Sequence, residues 1–116
     1  MYNVIMVFEV ISKLDRRIRL TGTQWLHIES KHKELSNQQE KMISTLMEPD
    51  AIYYSPTDDN HHYYKHFKET PITEKYLLLV VKLLNKDGFI VTAFFVSKIR
   101  TKNKEAIYGQ ENFYQL

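Results

Sequence analysis

The sequence contains no cysteine and only three glycines and three prolines among its 116 residues. Without cysteine the chain forms no disulfide and no zinc site built on thiolates. So few glycines and prolines leave no flexible linker of the kind that joins domains. Hydrophobic residues make up 43% and charged residues 26% of the chain, which is an ordinary globular balance. Together these features predict one domain spanning residues 1–116.

Long apolar runs and a strong excess of charge are also missing. The longest apolar run, residues 76–81, is far shorter than the roughly 20 residues of a membrane-spanning helix. The first residues lack the basic segment of a signal peptide. Since the formal net charge is only +2, any binding of nucleic acid has to rest on local clusters of cations. We therefore expect a cytoplasmic protein that does not enter a membrane.

Two helices are predicted from their capping residues. Thr23 is placed to cap a helix over residues 24–33, in which apolar side chains recur at helical spacing. Ser36 and Gln39 have the spacing of a capping box, in which each side chain satisfies the other residue's backbone donor. They predict a second helix that ends before Pro49, because the residue before a proline is driven out of the helical conformation.

The remaining segments predict strands, with no sign of a repeat. The order of strand, two helices and then successive apolar strands predicts an α+β domain, in which an N-terminal strand and two helices pack on an antiparallel sheet. Strands are predicted over residues 3–11, over a short stretch after a turn within the basic segment 13–19, and over residues 51–55, 61–67, 76–84 and 89–96.

The turn before the last predicted strand sets the register of the sheet. Asn85 begins a four-residue Asn-Lys-Asp-Gly segment, which is typical of a three-residue hairpin loop with Gly88 in a left-handed conformation. This loop predicts that Asn85 lies opposite Phe89. Counting back along the strand then places Lys82 opposite Thr92, on the same face of the sheet.

Three residues stand out as candidates for acid–base or charge chemistry. Lys82 lies within an apolar strand; it either faces solvent and protects the strand from edge pairing or, with the Thr92 hydroxyl, binds a phosphate oxygen. His27 and His32 are five residues apart, about 140° around a helix, which is a poor spacing for a shared metal ion. His27 alone also fits a core histidine, whereas His32 lies where a helix end can point a base into a cleft. No metal or cofactor is expected.

Aromatic and basic residues in the second half suggest contacts with RNA. Tyr63 and Tyr64 fit a platform on which bases stack, although core packing suits at least one of them equally well. Cations alternate along the segment that follows the strand of Thr92, at Lys98, Arg100, Lys102 and Lys104. This series fits either a solvated charge run or a track for phosphates. The histidines around the two tyrosines lack partners at metal-ligand spacing other than the aspartates of the turn before them, and are interpreted as a solvated edge.

The order of these motifs resembles a known superfamily. The series runs from Trp25 to Arg100 and comprises His27-Ile28, Lys31-His32, Glu34, Pro49-Asp50, a tyrosine pair, Val80-Val81-Lys82 and Phe89-Ile90-Val91-Thr92-Ala93. It is similar to small bacterial and phage proteins of the barnase–EndoU–colicin–RelE (BECR) superfamily, which are metal-independent ribonucleases and often toxins of toxin–antitoxin pairs. The family pattern often reads Arg-His-Pro-Glu where this chain has Lys-His-Lys-Glu.

The resemblance implies an endoribonuclease that cuts RNA by attack of the 2′-hydroxyl and needs no metal. It places His32 as general base or acid, with His27 in the opposite role, and Lys82 and Thr92 beside the phosphorane. Lys31 would bind RNA, but it lacks the two-pronged contact that an arginine makes with phosphate. The implied partners are RNA and a cognate antitoxin protein. The alternative is a non-catalytic RNA-binding or protein-interaction domain of the same fold.

Overall fold

The computed structural model describes residues 5–109. Within this range the chain forms seven strands, two α-helices and one 3₁₀ turn. In chain order these are β1 (Met6–Ile11), β2 (Arg17–Thr21), α1 (Gly22–Lys31), the 3₁₀ turn (Lys33–Leu35), α2 (Gln39–Met47), β3 (Ala51–Ser55), β4 (Asn60–His66), β5 (Tyr76–Leu83), β6 (Asp87–Val96) and β7 (Glu105–Gly109). No helix among these residues is long and apolar enough to cross a membrane.

All seven strands belong to one mixed sheet in the order β1-β2-β6-β5-β4-β3-β7. The predicted α+β class with an N-terminal strand and two helices is therefore confirmed. The expectation of a purely antiparallel sheet is wrong at one place, because β2 pairs with β6 in parallel. Local hairpin signals do not reveal this pairing, since the two strands are far apart in the sequence. Strand β7 was also missed, because most of its residues are exposed and show no alternation of apolar side chains.

The two faces of the sheet are covered in different ways. The face that packs against both helices, here called the helix face, forms the larger apolar core. The opposite face, here called the open face, carries a smaller apolar cluster around Tyr64 and Val80. Ile99 packs on this cluster, and the connection between β6 and β7 therefore covers part of the open face. The helix-face core comprises Ile18, Leu20, Trp25, Ile28, Leu35, Met42, Leu46, Ile52, Tyr63, Leu77, Leu79, Val81, Ile90, Ala93 and Phe95.

Helix α1 begins earlier than its sequence predicts. Its cap is Thr21, whose hydroxyl accepts a hydrogen bond from the backbone N–H of Gln24 at 3.2 Å. The predicted cap, Thr23, lies inside the helix. Both threonines have the required spacing to an N–H, and Thr21 prevails because β2 runs directly into the helix. The helix ends at Lys31.

The predicted capping box at the start of α2 is wrong. The Ser36 hydroxyl donates to a carboxylate oxygen of Glu29 at 2.6 Å and thereby ties the connection to α1. Helix α2 starts only at Gln39. Its end is as predicted, because Glu48 closes the last turn with a backbone hydrogen bond and Pro49 follows.

The β5–β6 hairpin combines two departures from its predicted register. The loop is one residue shorter than expected, because the Leu84 N–H bonds to the Asp87 carbonyl at 2.7 Å. As a result Lys82 lies opposite Phe89, and its predicted pairing with Thr92 is wrong. An irregularity farther along then adds one residue to β6, so that Thr92 pairs with Val80. Since Val80 and Lys82 are two residues apart on β5, Thr92 returns to the face of Lys82, diagonally and not directly opposite.

Gly88 has a packing role in this hairpin. Its φ lies outside the left-handed region that the predicted loop requires. A Cβ at this position would approach the Lys82 carbonyl oxygen to 2.5 Å and the Cδ1 of Ile18 to 3.0 Å. Glycine is therefore needed because β2, β5 and β6 approach closely here.

Candidate functional site

The candidate site is a groove between α1 and the second half of β6. Strand β2 pairs with β6 only as far as Phe89, and α1 continues from β2 along the uncovered edge. The side-chain amide of Gln24 donates to the Val91 carbonyl oxygen at 2.5 Å and joins the helix to the irregular part of β6. The resulting groove has a volume of about 570 Å³ and is lined by Thr23, Gln24, His27, Lys31, His32, Val91, Thr92 and Phe94.

Both predicted catalytic histidines line this groove. His27 and Lys31 are four residues apart on α1 and therefore share one side of the helix. His32 is the residue after the helix, with φ −133° and ψ 76°. Because its backbone is not helical, its side chain is not turned about 140° away from His27, as it would be within a continuous helix. The bend at the helix end brings His32 to the same groove as His27.

The His32 ring is held by an aromatic contact. It stacks on Phe94 with 5.2 Å between the ring centroids and an angle of 23° between the planes. Nδ1 lies 3.8 Å from a carboxylate oxygen of Glu34, which is too far for a direct hydrogen bond. About 30% of the His32 side chain is exposed, so a ligand in the groove can reach it.

The rest of the groove supplies one cation, one hydroxyl and an apolar surface. Lys31 is exposed, and Thr92 carries the hydroxyl on β6. Val91 and Phe94 provide the apolar part of the lining. Two imidazoles, an ammonium group and a hydroxyl around one depression can transfer protons to and from a ligand while binding a negative charge.

Lys82 is not part of this groove. Its ammonium group donates to the backbone carbonyl of Asp59 at 2.8 Å and lies 3.1 Å from that residue's carboxylate. Tyr54 donates to the same carboxylate at 2.7 Å. These hydrogen bonds, first from Tyr54 and then from Lys82, lower the pKa of Asp59, and the bond to Asp59 raises the pKa of Tyr54. The structure therefore does not bring Lys82 together with the two groove histidines.

A second titratable pair lies beside Lys82. His62 Nε2 is 3.1 Å from a carboxylate oxygen of Asp58, and burial lowers the pKa of His62. Burial acts to raise the pKa of Asp58, but hydrogen bonds from Ser55, His62 and Asn60 outweigh it and lower this pKa to about 2. The group comprising Tyr54, Asp58, Asp59, Asn60, His62 and Lys82 is called the hairpin-end cluster below.

The hairpin-end cluster contains two buried atoms without hydrogen-bond partners among the described residues. These are Nδ1 of His62 and Oδ1 of Asn60. Because almost none of the Nδ1 surface is exposed, a substrate cannot reach it. No group of three or more His, Asp or Glu side chains within residues 5–109 is arranged to hold a metal ion.

The predicted stacking platform for bases is wrong. Tyr63 and Tyr64 are both fully buried, on opposite faces of the sheet. The Tyr63 hydroxyl bonds to the Ser12 hydroxyl at 3.0 Å, and Tyr64 accepts a hydrogen bond from Lys104 at 2.9 Å. The sequence could not separate exposed from buried tyrosines, because the segment that covers Tyr64 comes 40 residues later.

The other predicted RNA contacts remain accessible. Lys98 and Arg100 are exposed in the connection that follows β6, just beyond the strand that carries Thr92 and Phe94. The aromatic residue of the groove, Phe94, was not singled out from the sequence. The alternation of side chains along β6, which puts Phe94 and Val96 on one face, is the sequence signal that could have identified it.

No protein-family model, curated protein or solved structure matches this chain. The resemblance in the order of motifs therefore remains a prediction. The candidate site rests on the geometry of the groove, where His27, Lys31, His32 and Thr92 meet.

Proposed function

We propose that the protein is a metal-independent endoribonuclease and that the groove between α1 and β6 is its active site. The observation that carries the proposal is the presence of two accessible imidazoles, His27 and His32, in one groove with Lys31 and Thr92. Acid–base cleavage of RNA needs two proton-transfer groups and a binding site for the charged phosphate. The groove supplies these groups from the chain alone.

The reaction would proceed by attack of the ribose 2′-oxygen on the neighbouring phosphorus. One imidazole accepts the 2′-hydroxyl proton as the O–P bond forms, and the other gives a proton to the departing 5′-oxygen as its P–O bond breaks. The products are a 2′,3′-cyclic phosphate and a free 5′-hydroxyl. Stacking on Phe94 restricts the orientation of the His32 ring. Either of His27 and His32 can be the base, with the other as the acid.

Two further groove residues would stabilise the pentacoordinate phosphorane. Lys31 provides a positive charge, and the Thr92 hydroxyl donates a hydrogen bond to an oxygen that gains charge in the transition state. Lys98 and Arg100, which follow the end of β6, would bind phosphates of the RNA on one side of the cleaved bond. In this scheme Lys82 has no direct part in the chemistry, because it does not line the groove and its ammonium group is held at Asp59.

A non-catalytic RNA-binding domain is the second candidate. One observation favours it: within residues 5–109 no side chain hydrogen-bonds to the His27 ring, and Glu34 is 3.8 Å from His32. Catalytic imidazoles are usually oriented by such a bond. A domain that only binds RNA would retain the cations and the groove without cleaving.

The resemblance to the BECR superfamily supports a toxin of a toxin–antitoxin pair, acting in the cytoplasm. A protein that degrades cellular RNA has to be inhibited in the cell that makes it. We propose that the inhibitor is a small antitoxin with acidic side chains that compete with RNA phosphates for the cations around the groove. Slowed growth on expression, relieved by the product of a neighbouring gene, would support this role. Unimpaired growth would refute the toxin assignment alone.

Cleavage of labelled RNA in the presence of EDTA tests the enzyme. The proposal expects products that end in a 2′,3′-cyclic phosphate, with cleavage retained in EDTA. Binding without cleavage would favour the second candidate, and loss of cleavage in EDTA would indicate a metal-dependent enzyme. His66→Ala is a matched control, since His66 is exposed on β4 outside the groove.

A further inference from the structure

An aromatic residue lies between two cations on the open face of the sheet. Strand pairing places Phe89 beside Arg19 of β2 on one side and opposite Lys82 of β5 on the other. The neighbours Ile18 and Val81 belong to the helix-face core, so alternation puts these three residues on the open face. All three side chains are partly exposed.

Each of the two cations is neutralised by an aspartate. The Arg19 guanidinium donates to a carboxylate oxygen of Asp87 at 3.0 Å, and Lys82 binds Asp59. About 31% of each cationic side chain is exposed. Arg19 donates to Asp87 through one nitrogen, and Lys82 donates to two oxygens of Asp59. Since a guanidinium has five N–H donors and an ammonium has three, both side chains retain donors for a second anion. The two aspartates fix the positions of the cations. Phosphate oxygens accept hydrogen bonds from arginine and lysine as well as carboxylate oxygens do.

This row continues the groove along the same strand. Phe89 and Thr92 both lie on β6 and on one face, with the irregularity between them. At the usual rise of a strand they are separated by about 7–10 Å. A polynucleotide with its reacting phosphate beside Thr92 would therefore pass over Phe89.

We propose that Phe89, Arg19 and Lys82 form a second subsite for single-stranded RNA, adjacent to the groove. A base stacks on Phe89, and Arg19 and Lys82 bind the phosphates on its two sides. Single-stranded RNA fits better than a duplex, because only unpaired bases can place a face on an aromatic ring. The inference rests on the proposed function and extends it from one phosphodiester to a longer strand.

Binding of an uncleavable oligonucleotide tests the subsite. The probe is a fluorescein-labelled 2′-O-methyl RNA octamer, which cannot be cleaved because it has no 2′-hydroxyl to attack the phosphorus. A labelled 2′-O-methyl dimer is the short ligand for comparison. We expect Arg19→Ala and Phe89→Ala to weaken octamer binding about tenfold and to leave dimer binding unchanged. The control is Arg16→Ala, which removes the same charge one position before β2, where the side chain bonds to the Leu84 carbonyl.

A second substitution separates binding from structural damage. Asp87→Asn removes the carboxylate that competes for Arg19, so we expect it to tighten octamer binding about threefold. In the Arg19→Ala background the same change should have no effect on binding. If the salt bridge were only structural, Arg19→Ala and Asp87→Asn would both lower the unfolding temperature. Neither substitution would then change the octamer affinity of the folded protein.

The outcomes distinguish the subsite from the active site. Octamer binding that depends on Arg19 and Phe89, in a protein that never cleaves RNA, would keep the subsite and refute the enzyme. If the protein cleaves RNA but Arg19→Ala and Arg16→Ala change octamer affinity equally, the enzyme stands and the subsite is overturned. Absence of octamer binding by the unaltered protein would also overturn the subsite.

Discussion

The groove and the hairpin-end cluster contain similar side chains in different states. Both have histidine and lysine near the open face of the sheet. In the hairpin-end cluster the charged groups bind one another: Lys82 holds Asp59, and His62 is paired with Asp58. In the groove His32 has only a stacked ring and a carboxylate beyond hydrogen-bond distance. The difference is that the charged groups of the cluster are hydrogen-bonded to one another, whereas the His32 ring of the groove has no hydrogen-bonded carboxylate.

Shifted pKa values do not by themselves identify a functional site in this protein. The hairpin-end cluster holds shifted groups such as Asp58, Asp59 and His62. Such shifts are often a sign of a functional site, but structural networks of charges produce them too. Because Nδ1 of His62 is buried and both carboxylates are hydrogen-bonded within the cluster, we interpret this cluster as a structural network of charges. We infer that it stabilises the turn between β3 and β4, where Asp59 adopts a φ of 55°.

Substitution of the groove histidines should give the largest effect. His32→Ala is expected to lower RNA cleavage by about two orders of magnitude, because it removes one of two proton-transfer groups. His27→Ala should have an effect of similar size, and the double variant should lose less than the product of the two because both act on one phosphate. The measurement is the initial rate with labelled RNA.

The control for this prediction is His66→Ala, which should cleave at the parental rate. Circular dichroism and thermal unfolding should show that each variant is folded. If folded His32→Ala and His27→Ala both cleave at the parental rate, the groove is not the active site and the binding domain becomes the better explanation.

Breaking the hairpin-end cluster should affect stability and not chemistry. Asp58→Ala leaves the buried His62 ring without its acceptor, which is expected to cost about 1–3 kcal/mol of unfolding free energy. The cleavage rate of the folded fraction should not change, because the cluster lies outside the groove. Urea unfolding and initial rates measured on the same preparation test both parts. A large loss of activity in a fully folded Asp58→Ala protein would contradict the division into two regions.

The fold was more predictable than the site because its signals are local. Apolar alternation located β5 and β6, and Pro49 located the end of α2, since each depends on neighbouring residues. The parallel pairing of β2 with β6 joins segments about 70 residues apart and has no local signature. The irregularity in β6 is equally hidden, although the shared face of Lys82 and Thr92 depends on it.

The grouping of the candidate site residues was predicted in part, for a related physical reason. His27, His32, Lys31 and Thr92 meet because α1 covers the edge of β6, and the motif order anticipated their proximity. Whether a side chain is free depends on partners that the sequence does not place nearby. Lys82 is occupied by Asp59, 23 residues earlier, and the buried Tyr64 lies beneath Lys104.

Acid should destabilise the fold through the two histidines at the start of β4, His61 and His62. Burial lowers the pKa values of His61 and His62 below the ordinary value of 6.5. The unfolded chain therefore binds more protons than the folded chain as the pH falls through about 6.5, and the unfolding free energy decreases. Asp58, with its pKa lowered to about 2, should add a further loss as the pH falls from about 4 towards 2.

Urea unfolding at a series of pH values measures this dependence. His62→Gln keeps a hydrogen-bond donor near Asp58 and removes the titrating ring, so its unfolding free energy should decline less between pH 7.5 and 5.5. An identical decline in both proteins would show that His62 does not contribute.

The smallest effect on chemistry is expected from Lys82→Ala. Since its ammonium group is bound to Asp59 and lies outside the groove, the rate at saturating RNA should change by no more than about twofold. The KM for a long RNA should rise severalfold, because the proposed subsite loses a phosphate contact, and the KM for a dinucleotide should not. Steady-state kinetics with both substrates measures the split. A hundredfold fall in kcat with both substrates would mean that Lys82 leaves Asp59 to contact the reacting phosphate. The groove and the hairpin-end cluster would then act together in the reaction and not as two separate regions.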